Sequence, residues 1–352
     1  MNTKHHISLF LISLIGLFSC EKETTPASVG NYTSGVFVVN EGPFGGTGSI
    51  TWHNPETGET VQDVFEKANG GASLGQFVQS LTLHNGKGYI VVNGANKVYV
   101  VDATTFKYLD TIGGLYLPRF LLPVSANTAL VSQWGADGVT GSVASVDLKT
   151  LKITETLPTG KGPDKMLLHA NGQVSVPCSG GFGTDSVVVL IETDAGSLTE
   201  ISRVSFLGQK NPASLAVGRF DTSPISPFTY ALCQGSYLDT DPKGSINPYH
   251  GSIPFLGQAV PPFGNDLVAS PNGQELFFAA GGKIYVLNKD GLSVRINQTA
   301  YGLNCHPGTG YLYCADAKDF NSQGELVVYK QNGERVSAFP VGIAPGEVIF
   351  VK

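Results

Sequence analysis

The chain ends in APGEVIFVK, residues 344–352, and this stretch is typical of an apolar β-strand. Val348 and Phe350 alternate with Glu347, Ile349 and Val351, so the two sets of side chains point to opposite faces. The last residues of a domain are usually poorly ordered unless a sheet holds them. We therefore expect this strand to complete a sheet whose other strands lie elsewhere in the chain.

A repeated four-strand pattern indicates where that sheet lies. Residues 80–112, 266–296 and 302–339 each contain a short strand, a turn built on Gly with Asn or Pro, and three further strands. Four antiparallel strands per repeat are typical of a propeller blade, and repeats of about 40–45 residues occur in such folds. The pattern places six complete blades at 76–115, 116–160, 161–208, 209–263, 264–299 and 300–341.

The remaining sequence supplies a seventh, incomplete blade. Residues 35–66 provide its second to fourth strands, and the missing innermost strand is the C-terminal GEVIFVK, which we expect to pair beside GVFVVN (35–40). The predicted fold is an all-β, seven-bladed propeller of four-stranded antiparallel blades, closed by this pairing. The composition agrees, because 44 Gly and 20 Pro suit many tight turns and only 14% of the residues are charged.

The first residues resemble an export signal. Lys4 precedes an apolar run over residues 7–18 that is too short for a membrane span, so residues 1–19 are predicted to be a signal peptide. The sequence LFSC resembles a bacterial lipobox ending at Cys20, which predicts lipidation there; plain secretion is the alternative. Residues 20–34 then form a lipidated tether and 35–352 the propeller domain, and the acidic CEKE resembles a surface-export signal.

Charge and cysteine content exclude several classes of function. The net charge of −6, without any Lys/Arg run, argues against nucleic acid as a partner and against an anionic membrane surface, so membrane contact is expected only through the lipid anchor. Cys178, Cys233, Cys305 and Cys314 allow three disulfide pairings, and the sequence does not choose between them. Because three of them end comparable strands, we interpret them as small buried side chains.

Long loops on one face of the ring are the expected binding region. The connections between second and third strands lie on the same face as the linkers between blades, and most of these loops carry one aromatic residue among Gly, Asn, Gln and Asp. Such aromatic platforms suit a bulky ligand of mixed polarity or a protein partner. The predicted ligand-binding residues are Phe44, Asn93, Asn96, Arg119, Gln133, Trp134, Phe182, Tyr237, Tyr301 and Phe320. Residues also expected near the central mouth are Gln76, Lys161, Asp164, Asn211 and Asn265.

No catalytic or metal-binding pattern accompanies these loops. His84, His169 and His306 fall in the short turns of the opposite face, scattered around its rim, so a shared metal site is not expected. GASLG (71–75) fits the GxSxG pattern but lies between two predicted blades rather than between a strand and a helix, and GGFGTD (180–185) does not follow a βαβ unit, so neither a nucleophile elbow nor a dinucleotide site is predicted. Asp239 and Asp241 lie in DTDPKGS, which is similar to a calcium loop but lacks its twelfth-position Glu, and this possibility stays open. The protein is predicted not to be an enzyme.

Several motifs carry a family resemblance across residues 35–352. SPNGQELFFA (270–279), NKVYVVDATT (96–105) and GKIYVLN (282–288) resemble the YncE-like, surface-layer-type seven-bladed propellers. NEGPFGGTGSITWHNPETGETV (40–61), TGKGPDKML (159–167) and CSGGFGTDSVVV (178–189) are similar to lipoprotein propellers of Bacteroidota, among them surface proteins that bind cobamides.

This resemblance implies a lipid-anchored, surface-exposed protein of the outer membrane. The resemblance also implies that the protein captures cobalamin, a siderophore or a comparably large chelate, passes it to a TonB-dependent receptor, and has no cofactor of its own. The alternative is a surface scaffold or adhesion propeller that binds a protein or glycan. A funnel lined by the aromatic residues favours the first function, whereas a flat aromatic plateau favours the second.

Overall fold

The computed structural model describes residues 30–194, 196–220 and 226–351, and the predicted signal peptide and Cys20 lie outside these ranges. The described chain forms seven antiparallel sheets arranged as the blades of a propeller. In these residues, helix is confined to α1 (Val64–Ala68) and one short 3-10 turn (Asn93–Ala95). None of the described helices is both long and apolar enough to cross a bilayer.

The seven blades follow one another along the chain, and within each blade the strands run in order from the inner to the outer edge. The first blade takes its inner strand from the C-terminal end of the chain. Their strands are, in order: β1 (Val36–Asn40), β2 (Ser49–His53) and β3 (Thr60–Val61) of the first blade; β4 (Val78–His84), β5 (Lys87–Val92), β6 (Lys97–Asp102) and β7 (Tyr108–Ile112) of the second; β8 (Pro118–Pro123), β9 (Thr128–Gln133), β10 (Ser142–Asp147) and β11 (Lys152–Pro158) of the third; β12 (Leu167–Leu168), β13 (Val174–Pro177), β14 (Val187–Asp194) and β15 (Ser197–Ser205) of the fourth.

The same order continues through the second half of the chain: β16 (Pro212–Gly218), β17 (Phe228–Cys233), β18 (Gly244–His250), β19 (Ile253–Pro254) and β20 (Gln258–Val260) of the fifth blade; β21 (Asn265–Ala269), β22 (Leu276–Ala280), β23 (Lys283–Asn288) and β24 (Gly291–Ile296) of the sixth; β25 (Gly302–Cys305), β26 (Leu312–Asp316), β27 (Gln323–Tyr329) and β28 (Arg335–Ile343) of the seventh; and β29 (Pro345–Phe350), which returns to the first.

The C-terminal strand β29 closes the ring, as the sequence predicted. It pairs antiparallel with β1, in a register that sets Val36 opposite Phe350 and Val38 opposite Val348. The first blade therefore has the order β29-β1-β2-β3, with its innermost strand taken from the far end of the chain. Because the first and last strands share one sheet, the inner edge of β1 is paired and hydrogen bonds close the ring.

Apolar side chains fill the space between consecutive blades rather than one central core. Along β1, Val36 and Val38 pack toward the seventh blade, whereas Phe37 and Val39 pack toward the second. Because successive residues of a strand point to opposite faces, a blade buried on both sides needs a continuous apolar run, as in VFVVN (36–40). Equivalent clusters lie between each of the remaining pairs of neighbouring blades.

Two elements were not predicted from the sequence. Helix α1 occupies the linker after β3, and β20 adds a fifth strand to the fifth blade by pairing with β18. The four cysteines, in contrast, are buried and unpaired as small core side chains, which confirms their interpretation. Burial raises the pKa of Cys233 to about 12 and that of Cys305 to about 11, so neither forms a reactive thiolate near neutral pH.

Ring closure predicts a position-dependent cost of truncating valine. Val348→Ala removes two methyl groups from the cluster between the seventh and first blades, and we expect the free energy of unfolding to fall by about 2 kcal/mol. Val336→Ala is the matched control, because Val336 lies on an outer strand and is 46% exposed. Urea unfolding followed by circular dichroism measures both variants, and equal stability of the two would contradict the closure.

Candidate functional site

The loops after the second strands and the linkers between blades lie at one end of the ring, here called the loop face. The loops after the first and third strands lie at the other end, here called the turn face. On the turn face, the first strands of three blades end at His84 or directly before His169 and His306, as the sequence predicted. Among the described residues, no group of three or more His, Cys, Asp or Glu side chains is placed to hold a metal ion.

A repeated pair of backbone hydrogen bonds, here called the loop latch, anchors the loops of five blades. A residue one or two positions after the second strand donates its N–H to the carbonyl of a left-handed residue in the preceding linker. The next residue, always Gly, donates to the carbonyl of the residue before that acceptor. The first bonds run from Glu41, Asn93, Trp134, Ser179 and Gln234 to the carbonyls of Ala344, Phe77, Leu117, Gly162 and Asn211, at 2.8–3.1 Å.

Glycine is required at the second latch position because the loop turns back over it. Gly135 has a φ of +81°, and a Cβ there would lie 2.3 Å from the carbonyl oxygen of Thr140. Gly42 is held in the same way against Thr47, at 2.4 Å. A side chain at either position would have to displace backbone, so each loop leaves its blade in one fixed direction.

Three aromatic side chains of neighbouring blades form a continuous arc on the loop face. The rings of Trp134 and Phe182 pack edge to face with centroids 5.6 Å apart, and the Tyr237 hydroxyl donates to the Phe182 carbonyl at 3.2 Å. Gly138 makes this packing possible, because a Cβ there would overlap the Phe182 ring. Phe182 and Tyr237 nevertheless keep 64% and 61% of their surface exposed, so the arc presents apolar area to an incoming partner.

The remaining predicted aromatic residues extend this surface around the ring. Phe44 is 93% exposed beside Phe77, and the exposed Phe320 packs edge to face on Tyr301, with centroids 4.9 Å apart. The sequence analysis missed the exposed rings of Tyr116 and Phe263, which lie in linkers rather than in the long loops. Their signal was present, since an aromatic residue in a short linker between blades must lie on the same face.

A chain of polar contacts spans the loop-face end of the central channel. The Tyr301 hydroxyl donates to Glu41 at 3.0 Å, and Gln79 donates to the other oxygen of that carboxylate at 3.4 Å. Arg119 donates to the Gln79 side-chain oxygen and forms an ion pair with Asp164 at 3.6 Å. These residues come from five different parts of the ring, so the chain joins blades across the channel.

Trp134 connects the aromatic arc to this polar chain. The Arg119 guanidinium lies 4.3 Å from the centroid of the Trp134 ring, in a cation–π contact. Both the Trp134 Nε1 and the Arg119 Nε are buried without a hydrogen-bond partner among the described residues. Arg119 instead contacts Gln79, Asp164 and Trp134, and these contacts hold the arc in place.

Burial governs the electrostatics of the channel. It raises the pKa of Glu41 although Arg119 and the hydrogen bonds from Tyr301 and Gln79 act against it. One layer deeper, burial raises the pKa of Asp266 to about 6 despite the opposing charge of Lys165 and a hydrogen bond from the Leu303 N–H. Glu41 and Asp266 thus hold their protons more tightly than they do in water.

The predicted polar site residues mainly hold the loops. Asn93 donates to the Pro118 carbonyl at 3.1 Å, and Asn96 accepts the Leu117 N–H at 2.8 Å. Gln133 is buried, accepts the Tyr116 N–H and donates to Ser142. These contacts tie blade to blade, and a direct contact of the three amides with ligand remains a prediction.

The other residues expected near the mouth have comparable contacts. Asn211 is buried and donates to Gly235, Asn265 accepts from Gln234, and the exposed Gln76 donates to Gly45. Asp239 and Asp241, the candidate calcium ligands, lie beside the ammonium groups of Lys210 and Lys243. Lysine partners compete with a bound cation for these carboxylates.

The most prominent concavity lies at the opposite end of the channel from the aromatic arc. A cavity of about 570 Å³ opens on the turn face and is lined by the inner strands of several blades. The loop face has smaller cavities, one of about 480 Å³ beside Gly42 and Gln323 and one of about 180 Å³ beside Phe263 and Phe320. The aromatic residues therefore form a shallow plateau above a closed channel rather than a deep funnel.

Comparisons with known proteins agree with the fold. Residues 34–207 match the model of a family described as "Domain of unknown function (DUF5074)", and a comparison with curated proteins returns no match. A Quinonprotein alcohol dehydrogenase-like protein from Bacteroides thetaiotaomicron is a similar solved structure, with 18% identity and a TM-score of 0.63 over 92% of this chain and 79% of that one. A putative 6-phosphogluconolactonase from Bacteroides fragilis has 14% identity and a TM-score of 0.64 over 91% and 99%.

A functionally unknown protein from Desulfotomaculum acetoxidans is similar as well, with 12% identity and a TM-score of 0.62 over 90% of this chain and 98% of that one. At such identities these similarities show the propeller fold alone. The family description carries no enzymatic activity, and the names of the solved structures do not transfer to this chain.

The raised pKa of Asp266 predicts a specific dependence of stability on pH. A carboxyl with a pKa near 6 in the folded protein and an ordinary value of 3.8 binds its proton more tightly when folded. The wild type should therefore gain stability relative to Asp266→Asn as the pH falls from about 7 to about 4, by roughly 2–3 kcal/mol. Urea unfolding across this range measures the difference.

Asp319→Asn provides a control of opposite sign. Hydrogen bonds from the N–H groups of Ser322 and Asn321 lower the pKa of Asp319, so here the wild type should lose stability relative to the variant as the pH falls. A difference for Asp266→Asn that stays constant with pH would contradict the assignment.

Proposed function

We propose that this protein is a binding propeller that captures a large ligand on its loop face. The observation that carries the proposal is the arc of Trp134, Phe182 and Tyr237, in which the rings of Phe182 and Tyr237 stay exposed on loops that the latch holds in place. Exposure of large apolar side chains to water costs free energy, and that cost is removed when a partner covers them. Little reordering is needed on binding, which lowers its entropic cost.

A broad ligand fits this surface better than a slender one. The polar chain from Tyr301 to Asp164 occupies the end of the channel, so a ligand must lie across the face. A corrin offers wide apolar faces edged by amides, which match aromatic rings surrounded by Asn and Gln side chains. Together with the resemblance of the sequence to cobamide-binding lipoproteins, this favours a cobamide, and siderophores or other large chelates are the close alternatives.

The chemistry of the described residues supports binding without catalysis. The four thiols are buried, and their pKa values are raised by burial. The His53 ring contacts the Thr60 hydroxyl at 2.8 Å and stacks on Phe339 at 3.6 Å, and burial lowers its pKa. This histidine is committed to packing between the first and seventh blades rather than poised beside a nucleophile.

The resemblance of the first residues to a lipoprotein export signal supports a proposal about location. We place it on the outer membrane, exposed at the cell surface and held by acyl chains on Cys20, where it passes its ligand to a TonB-dependent receptor. The acidic surface of the chain, with a net charge of −6, agrees with anchoring through lipid rather than through charge. In this arrangement the protein brings no metal of its own, and any cobalt or iron arrives within the ligand.

Calorimetric titration with cobalamin tests the loop face. We expect micromolar or tighter binding, and Phe182→Ala or Tyr237→Ala should weaken it about thirtyfold, equivalent to about 2 kcal/mol, because each removes a central exposed ring. Tyr108→Ala is the matched control, since Tyr108 is exposed on the outer strand β7. His169→Ala controls for the turn face, and its loss of binding would show that the ligand occupies that face.

A protein partner is the second candidate, and the shallowness of the loop face favours it. Leu207 and Leu238 add exposed aliphatic side chains to the aromatic plateau. A flat, apolar surface of this kind suits a partner protein better than a small molecule. An absence of heat with cobalamin, together with loss of receptor binding in Phe182→Ala, would replace the cobamide proposal by this one.

Anchoring is tested by substitution at the predicted lipid site. Cys20→Ser removes the only thiol of the lipobox-like LFSC, and we expect the protein to leave the membrane fraction. Ser19→Ala is the control, because it retains a small residue before Cys20 and should stay anchored. Fractionation followed by immunoblotting distinguishes them, and a Cys20→Ser variant that remains in the membrane fraction would exclude the lipid anchor.

A further inference from the structure

The cavity on the turn face is a second candidate binding site, separate from the loop face. Its volume of about 570 Å³ lies within the range of about 300–1,000 Å³ that is typical of small-molecule sites. Its lining runs from Lys165 and Glu347 inside the channel to the turns that contain Asn85 and Pro123. The polar chain from Tyr301 to Asp164 occupies the loop-face end of the channel, so the cavity is a pocket that opens on the turn face.

The walls of this pocket are predominantly apolar. Leu83 and Leu122 come from the inner strands β4 and β8, Ile349 comes from β29, and Met166 lies just before β12. Inner strands of other blades contribute polar side chains to the channel. The apolar wall is therefore specific to β4, β8 and β29. Apolar walls around a solvent-filled space stabilise any molecule that replaces the water with apolar surface.

The inner end of the pocket is formed by an ion pair with unused donors. The Lys165 ammonium lies 2.9 Å from Glu347 and 5.6 Å from the centroid of the Phe120 ring, and 37% of its side chain is exposed. Within the described ranges it has no further hydrogen-bond or ion-pair partner. An ammonium carries three N–H donors, so hydrogen-bonding capacity remains on the side that faces the pocket.

The charges around Lys165 restrict what this end accepts. Burial would lower the pKa of Lys165, but the carboxylates of Glu347 and Asp266 outweigh burial and raise it, so the ammonium stays charged. Asp164 is compensated by Arg119, which leaves one positive and two negative charges in the immediate group. The excess negative charge repels an anionic head group, and the Lys165 ammonium repels a cationic one.

We infer that the turn-face pocket binds a neutral amphipathic small molecule, whose apolar body lies against Leu83, Leu122 and Ile349 and whose uncharged acceptor, such as a primary amide, accepts a hydrogen bond from Lys165. Glu347 is available to receive an N–H of the same amide, since its side chain borders the pocket. This site is independent of the loop-face proposal, because the polar chain through Arg119 separates the two ends of the channel.

Competition among three compounds of equal chain length tests the head group. The fluorescent probe N-phenyl-1-naphthylamine reports occupancy of apolar pockets, and decanamide, decanoate and decylamine are the competitors. We expect decanamide to displace the probe at about tenfold lower concentration than either charged compound, a difference of about 1.4 kcal/mol. Equal displacement by all three, stronger displacement by a charged compound, or no probe binding would each overturn the inference.

Matched substitutions locate the probe. Leu83→Trp fills the pocket and should abolish the binding signal, whereas Leu256→Trp adds the same ring at a position that is 97% exposed and should leave it unchanged. Melting curves of both variants establish that they are folded. Probe binding that survives Leu83→Trp, or that cobalamin displaces in the wild type, would overturn the assignment to a separate pocket.

Removing the ion pair should abolish the preference for the amide. In the double variant Lys165→Met with Glu347→Gln the ammonium donor is lost, while the introduced glutamine side chain can still accept the hydrogen bond that Glu347 receives from the Leu81 N–H. Decanamide should then lose its tenfold advantage over decanoate and decylamine. An unchanged order of the three competitors in this variant would exclude recognition by Lys165.

Discussion

Pairing of β29 with β1 is the interaction on which the rest of the molecule depends. It closes the ring, and it also places Glu347 inside the channel, where the carboxylate receives the Leu81 N–H at 3.1 Å and pairs with Lys165. The last strand thus supplies both an inner edge and the charge that organises the channel. Without this strand, the inner edge of β1 would be unpaired and the first blade would have no strand facing the channel.

The loop latch explains how the loop face can vary without disturbing the blades. Two backbone hydrogen bonds determine where each loop begins, and neither depends on a particular side chain except for the Gly at the second position. Side chains beyond the latch are then free to serve binding, as we propose for Phe182 and Tyr237. Function on such a face is located in loops that a rigid scaffold holds in place.

The channel divides into two chemically different halves. Toward the loop face, Tyr301, Glu41, Gln79 and Arg119 satisfy one another in a continuous polar chain. Toward the turn face, the inner strands present apolar side chains around an open cavity. The Lys165–Glu347 pair lies between the two halves, so one end of the channel is closed and rigid while the other can accept a ligand.

Much of the architecture could be predicted from the sequence, because blade order and strand pairing depend on local patterns. VFVVN (36–40) and GEVIFVK (346–352) are apolar on both faces, and strands of this kind must be covered on both sides. The sorting of His84 and Phe182 to opposite faces followed from their positions between strands. The aromatic surface was also predictable in part; Tyr116 and Phe263 were not predicted, because they lie in short linkers that resemble ordinary turns between strands.

What only the tertiary structure decided is how residues far apart in the chain share one channel. Glu41 and Tyr301 are hydrogen-bonded although 260 positions separate them, and Glu347 reaches Leu81 across 266. No local pattern encodes such partners, because they result from the radius of the ring and the register of each inner strand. The turn-face cavity has the same origin: it arises where the side chains of several inner strands leave space, and the sequence of any one strand does not contain it.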